Sequence, residues 1–159
     1  MAGLRDPETP APAQVPTPGP TQLPKGAEAT LASFLDTADR LYERIGAALG
    51  RAGLSYPKYE VLEHLRSSGE PVSLGALADG QSCARSNITQ LVDKLEGEGL
   101  VRRVADPEDR RGIRAELTEA GAERVAEGRT QLDVVIAEFA ASFTAKERLE
   151  LGRLLAKVR

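Results

Sequence analysis

The chain has 159 residues and a mass of 17.0 kDa, which allows one domain with appendages and leaves little room for a second core. Its 41% hydrophobic and 28% charged residues are the mixture of a soluble globular protein, and no apolar run approaches the roughly 18 residues of a bilayer span. One cysteine, Cys83, and one histidine, His64, exclude an intrachain disulfide and supply too few soft ligands for a structural zinc site or a histidine-based catalytic centre. No metal and no cofactor are expected.

The formal charge of -3 and pI near 5.3 give no global basic field. The arginines are nevertheless uneven: Arg102, Arg103, Arg110, Arg111 and Arg114 are five of the 21 basic residues and fall within thirteen positions. Any affinity for a polyanion must therefore be local.

Residues 1–26 hold seven of the ten prolines, among Ala, Thr and Gln. Proline fixes φ and removes a donor, so this stretch is expected to be a disordered Pro-rich tail. The same prolines leave no continuous apolar region for a secretory leader, and a cytoplasmic location is expected. From Ala27 the pattern changes. Leu31, Phe34, Leu35, Ala38, Leu41, Tyr42, Ile45 and Leu49 recur at three- and four-residue steps and predict a long amphipathic helix ending near Gly50 or Gly53.

Ser55 is placed to cap the next helix, with Pro57 tolerated in its first turn; Val61, Leu62 and Leu65 form its apolar stripe, and Ser67-Ser68-Gly69 with Pro71 end it. Ser73 reads as the N-cap of a short helix carrying Leu74, Leu77 and Ala78. After the turn Gly80-Gln81-Ser82-Cys83, a helix from about Ala84 to Gly97 buries Ile88, Leu91, Val92 and Leu95. Two short helices joined by a tight turn are a helix-turn-helix candidate.

The period then changes. Leu100–Val104 and Ile113–Leu117 read as two strands around the turn-rich 105–112, so a β-hairpin, a wing, follows the helix-turn-helix directly. Thr118 caps a long helix using Val125, Leu132, Val135, Ile136 and Phe139. Thr144 and Glu147 make a capping box for a last helix with Leu151, Leu154, Leu155 and Val158. The fold expected is mainly α with a small β-wing: a winged helix-turn-helix lobe at 55–118, flanked by long helices at 27–50 and 119–159.

The second short helix presents Arg85, Ser86, Asn87, Thr89, Gln90, Asp93 and Lys94 on its polar face. Arginine forks onto guanine edges and glutamine onto adenine, and Ser and Thr bond base edges or phosphates, so this face suits major-groove readout; an ordinary solvated face is the alternative. At the wing tip, Arg110 and Arg111 can reach phosphates or a narrowed minor groove. Asp109, two positions before Arg111, can hold that guanidinium extended by a charge-assisted hydrogen bond. Lys94 and Arg103 are candidate phosphate contacts.

The order of elements and the stretches Leu54-Ser55-Tyr56-Pro57-Lys58-Tyr59, Ser86 to Glu96, Gly99-Leu100-Val101-Arg102-Arg103, Asp106-Pro107-Glu108-Asp109-Arg110-Arg111 and Leu117-Thr118-Glu119-Ala120-Gly121 resemble the MarR-type winged helix-turn-helix transcription regulators. The resemblance covers about residues 28–159. It implies a recognition helix at about Ala84–Gly97, a minor-groove arginine at Arg111 ordered by Asp109, and dimerisation through the first helix and the last two. The excess of apolar surface on those long helices points independently to a homodimer. Lys58 stands where glutamine is common in that family, and the turn Gly80-Gln81-Ser82-Cys83 departs from its usual apolar run.

The resemblance further implies a homodimeric repressor on a pseudo-palindromic operator in double-stranded DNA, and extends to release by a small lipophilic or phenolic effector. Tyr42, Tyr56, Tyr59 and His64 offer aromatic surface with polar handles for such a pocket, with core packing as the alternative. Cys83, at the mouth of the recognition helix, suggests a redox-responsive regulator, since a helix N-terminus and Arg85 lower a thiol pKa. Against this, the family's peroxide sensors carry their cysteine in the first helix, where this chain has none. A winged-helix module that binds an acidic protein is the competing class; an enzyme has least support, with no phosphate loop or catalytic motif.

Overall fold

The computed structural model describes residues 25–79, 85–107, 109 and 112–158, with the backbone alone for Arg85 and Ser86. The Pro-rich stretch up to residue 24, Cys83, Arg110 and Arg111 lie outside the described residues. The chain divides after Asp36 into two compact units. In the first, the described residues are a turn at 25–26 and the start of helix α1 (Ala27–Gly50), where the Thr30 hydroxyl donates to the Gly26 carbonyl at 3.0 Å and Leu31, Phe34 and Leu35 are exposed.

The second unit runs from Thr37. It holds the remainder of α1, then α2 (Tyr56–Ser68), β1 (Val72–Ser73), α3 (Leu74–Asp79), α4 (Arg85–Gly97), β2 (Val101–Ala105), β3 (Ile113–Leu117), α5 (Glu119–Ala141) and α6 (Ala145–Leu155), closed by a 3-10 turn at Ala156–Val158. The mainly helical winged helix-turn-helix expected from the pattern is the fold observed. Helix boundaries follow local chemistry. Gly69 ends α2 in the left-handed conformation at φ 69°, its N–H returning to the Leu65 carbonyl. Thr118 caps α5 by accepting from the Gly121 N–H at 3.0 Å, and Thr144 and Glu147 form the reciprocal capping box on α6. Ser55 occupies the N-cap position of α2, but its side chain makes no cap hydrogen bond there.

One strand was not legible. Val72 and Ser73, the latter expected only as a helix N-cap, pair antiparallel with Ala115 and Arg114 and complete a three-stranded sheet of order β1-β3-β2. Two residues carry no period, and only the approach of β3 makes them a strand. Ser73 still serves the helix it precedes, accepting from the Ala76 N–H at 3.2 Å. The core lies between α2, α3, α4, the sheet and α5, with Leu49, Val61, Leu62, Leu77, Ile88, Val92, Leu95 and Val125 wholly buried.

Two glycines permit close approaches that other residues would block. A Cβ on Gly128 would lie 3.0 Å from Leu54 Cδ1 and 3.2 Å from Tyr59 Cδ2, so its absence lets α5 settle against α2. At Gly121 a Cβ would lie 2.0 Å from the Leu100 carbonyl oxygen. That carbonyl accepts from the Thr118 N–H at 3.2 Å while the Thr118 hydroxyl donates to the Gly99 carbonyl at 2.8 Å. The start of α5 is thereby sewn to the turn between α4 and β2.

Candidate nucleic-acid interface

Helix α4 separates its apolar and polar sides along its length. Ile88, Val92 and Leu95 are 0% exposed, while Asn87, Thr89, Gln90, Asp93 and Lys94 are exposed. The apolar positions recur at i, i+4 and i+7 and face the core, which leaves the polar set on the outer face. Asn87, Gln90 and Lys94 line one groove of about 180 Å³ together with Pro57 from the first turn of α2. The helix offers an exposed row of amide, hydroxyl and ammonium groups on a rigid buried base, the form that base-edge recognition requires.

The hairpin beside it is held by side chains as well as by its ladder. β2 and β3 pair in register from Val101↔Leu117 to Ala105↔Ile113. Beyond them the chain turns back on itself: the Asp106 N–H donates to the Gly112 carbonyl at 3.0 Å, and the Gly112 N–H to the Asp109 carbonyl at 2.8 Å. Asp109 is exposed at this tip. Its expected partner Arg111, and Arg110, fall outside the described residues, as do the side chains of Arg85 and Ser86.

The arginine cluster divides by role. Arg102 binds Glu116 across the hairpin at 2.6 Å, and Arg114 binds Asp106 at 2.9 Å. The Arg102 guanidinium holds the Glu116 carboxyl below the usual glutamate range. Arg103, expected on a phosphate, is committed elsewhere. Its guanidinium donates to Glu96 Oε2 at 2.6 Å and to the Asp93 carboxylate, and its backbone N–H donates to Glu96 Oε1 at 3.0 Å. A guanidinium engaged by two carboxylates of its own chain is not available to an outside anion without breaking them. Among the described residues of the cluster, Arg102, Arg103 and Arg114 are thus each engaged by a carboxylate of the chain itself. Lys58, the departure noted in the sequence, pairs with Glu98 just after α4.

The four residues expected to line an effector pocket differ in their surroundings. Tyr42 and Tyr56 meet edge to face, with centroids 5.6 Å apart and planes at 67°. Tyr59 belongs to the core, 5% exposed, and its hydroxyl accepts from Arg129 on α5. His64 sits apart on an open groove with Glu63, Ser67 and Ser68. Burial pushes both the Tyr56 and Tyr59 hydroxyls up, aided by Glu60 and Glu63 respectively, so both are neutral phenols at neutral pH. The apolar cavity in this region is a different one, about 150 Å³, lined by Leu41, Ile45, Leu132, Val135, Ile136 and Phe139 between α1 and α5. Its leucine and isoleucine lining is legible in the sequence only as helix stripes.

Two further features bear on function. No helix among the described residues is long and apolar enough to cross a membrane. Apolar side chains remain uncovered in the second unit: Val134, Ile136, Leu149, Leu154, Leu155 and Val158 are exposed, Leu149 to 81%.

Comparison with known proteins places this geometry. The sequence model of the MarR family matches residues 54–113, the stretch from the start of α2 to the wing. An uncharacterized HTH-type transcriptional regulator of Bacillus subtilis, YsmB, is 30% identical over 99 residues, 62% of this chain and 67% of that protein. Among solved structures, Sco3205, a MarR family transcriptional regulator from Streptomyces coelicolor in complex with DNA, superposes with a TM-score of 0.80 at 27% identity, covering 89% of this chain and 91% of that one. The transcriptional regulator BldR from Sulfolobus solfataricus gives 0.67 at 31% identity, over 85% and 99%.

Proposed function

The chain belongs to the MarR family, and from that premise we propose that it is a cytoplasmic, non-enzymatic homodimeric repressor that occupies a pseudo-palindromic operator in double-stranded DNA. The observation that carries the reading is the division of α4, whose wholly buried Ile88, Val92 and Leu95 hold Asn87, Thr89, Gln90 and Lys94 outward beside a braced hairpin. In this reading Arg85, Ser86, Thr89 and Gln90 read base edges and Lys94 contacts phosphate. Arg110 and Arg111, with Asp109, take the wing to the backbone or minor groove. The DNA complex of a regulator with the same fold supports the docking.

Dimerisation is supported by the exposed apolar residues of both units, among them Leu31, Phe34, Leu154 and Val158, since uncovered leucines at this density on terminal helices are stabilised by a partner subunit. Release by a small lipophilic effector is supported by the apolar cavity between α1 and α5 rather than by the tyrosine set. An effector there releases DNA only insofar as it binds the non-DNA conformation better.

Selection of bound duplexes from a random DNA pool at two salt concentrations tests the reading. The expected product is a pseudo-palindrome with half-site centres about 10 base pairs apart, bound with steep salt dependence. Recovery of sequence-blind binding alone would overturn it and favour a protein partner for the basic tip.

A further inference from the structure

We infer that Arg103 is a positioning residue: it locks the recognition helix to the wing through Asp93 and Glu96 and so sets the angle at which the two elements meet DNA. This rests on the regulator reading above. Three donors of one residue converge on two carboxylates of α4. The guanidinium spans Glu96, at 2.6 Å, and Asp93, and the backbone N–H of Arg103 takes the other Glu96 oxygen at 3.0 Å.

The backbone bond is informative. β2 is an edge strand in the order β1-β3-β2, so its outward amides have no strand neighbour, and Glu96 supplies the missing acceptor at Arg103. Helix and hairpin are thus joined by a side-chain bond to the hairpin's main chain, which a surface ion pair alone does not provide. The Arg103 side chain is 24% exposed, less than Glu96 at 38% or Asp93 at 55%. Just after α4, Lys58 ties Glu98 to the first turn of α2.

The charges explain why such a clamp is needed. Asp93 is exposed on the same outer face as Gln90, three positions on, and adjoins Lys94. Asp93, Glu96 and Glu98 place three carboxylates at the end of the helix that follows the reading residues. Arg103 and Lys58 engage all three within the chain, two positive charges against three negative ones. Arginine suits the role because its planar fork meets two carboxylates at once, whereas the lysine ammonium is a point charge that would hold one.

The test compares Arg103→Gln, Arg103→Lys and Asp93→Asn in the full-length protein, on the selected operator and on a random duplex, with salt titrations. A positioning role predicts that Arg103→Gln loses about tenfold on the operator and less than about twofold on the random duplex, with the salt slope unchanged. Asp93→Asn should reproduce this pattern, the pair should lose less than the product of the two single losses, and Arg103→Lys should fall between parent and Arg103→Gln. Without DNA, amide exchange at Arg103 should accelerate in Arg103→Gln and in Glu96→Gln while the melting temperature stays within a few degrees. Equal losses on both duplexes with the slope reduced by about one would make Arg103 a phosphate contact and overturn the inference alone. A parent protein that selects no operator would overturn the regulator reading itself, and unchanged amide exchange would overturn the clamp whatever the DNA result.

Discussion

Gly121→Ala is the sharpest test of how α5 is attached to the DNA-binding lobe. The added methyl would stand 2.0 Å from the Leu100 carbonyl oxygen and 2.8 Å from Leu117 Cδ1. Carbon and oxygen tolerate little under 3 Å, so α5 must retreat by about 1 Å from the turn that precedes β2. That retreat stretches the Thr118 N–H bond to Leu100, already 3.2 Å, and the Thr118 hydroxyl bond to Gly99, now 2.8 Å. Two hydrogen bonds at about 1 kcal/mol each and overpacking of about 1 to 3 kcal/mol oppose a helix-propensity gain of about 1 kcal/mol. The net loss is about 2 to 4 kcal/mol, a fall in melting temperature of roughly 6 to 12 °C for a chain of this size. Gly97→Ala is the control, because nothing lies within 4 Å of its added methyl. Urea unfolding of both variants separates the effects. A Gly121→Ala protein within about 0.5 kcal/mol of the parent would refute the close-approach reasoning.

Three further outcomes follow from the same geometry. Gln90→Ala, which alters an exposed residue of the α4 face, should cost about 1 to 3 kcal/mol at one operator base pair, whereas Arg111→Ala should weaken binding to all sequences; a panel of single-base operator variants distinguishes them. Leu154→Glu with Leu155→Glu, at positions 46% and 40% exposed within the chain, should shift sedimentation from dimer toward monomer without loss of helix content, and an unchanged dimer would place the interface elsewhere. The α6 cap should respond to pH. Hydrogen bonds from Thr144 hold the Glu147 carboxyl below its ordinary value. Its contribution is therefore fully present above the unfolded value, about 4.3, and disappears as pH falls through the lowered folded value. Amide exchange in the first turn of α6 should accelerate on acidification in the parent and be less pH-sensitive in Glu147→Gln.

The sequence by itself determined the elements whose signals are local. Leu31 to Leu49 repeat with the period of a helix, the residues flanking the turn-rich 105–112 have the character of paired strands, and Thr144 with Glu147 carry a cap at a fixed offset. Each of those signals arises from neighbours three or four positions apart, or from residues alternating about a strand, and the chain folds there as they indicate. The polar face of α4 was legible for the same reason: burying Ile88, Val92 and Leu95 leaves Asn87, Thr89 and Gln90 outside.

Tertiary structure decided the pairings that no period encodes. Val72 becomes a strand residue because Ala115, far along the chain, lies beside it. Lys58 finds Glu98 across 40 positions, and Arg103 meets Asp93 and Glu96, a choice among several nearby carboxylates that only the approach of β2 to α4 resolves. The tyrosines differ in burial for a related reason. An aromatic residue on a helix stripe announces that it will be covered, but the packing of α2 against α5 decides that Tyr59 joins the core while Tyr42 stays exposed against the half-buried Tyr56. Periodicity specifies which face of an element is buried; which partner covers it, and which charge meets which, is set by the distances that close only when the elements pack.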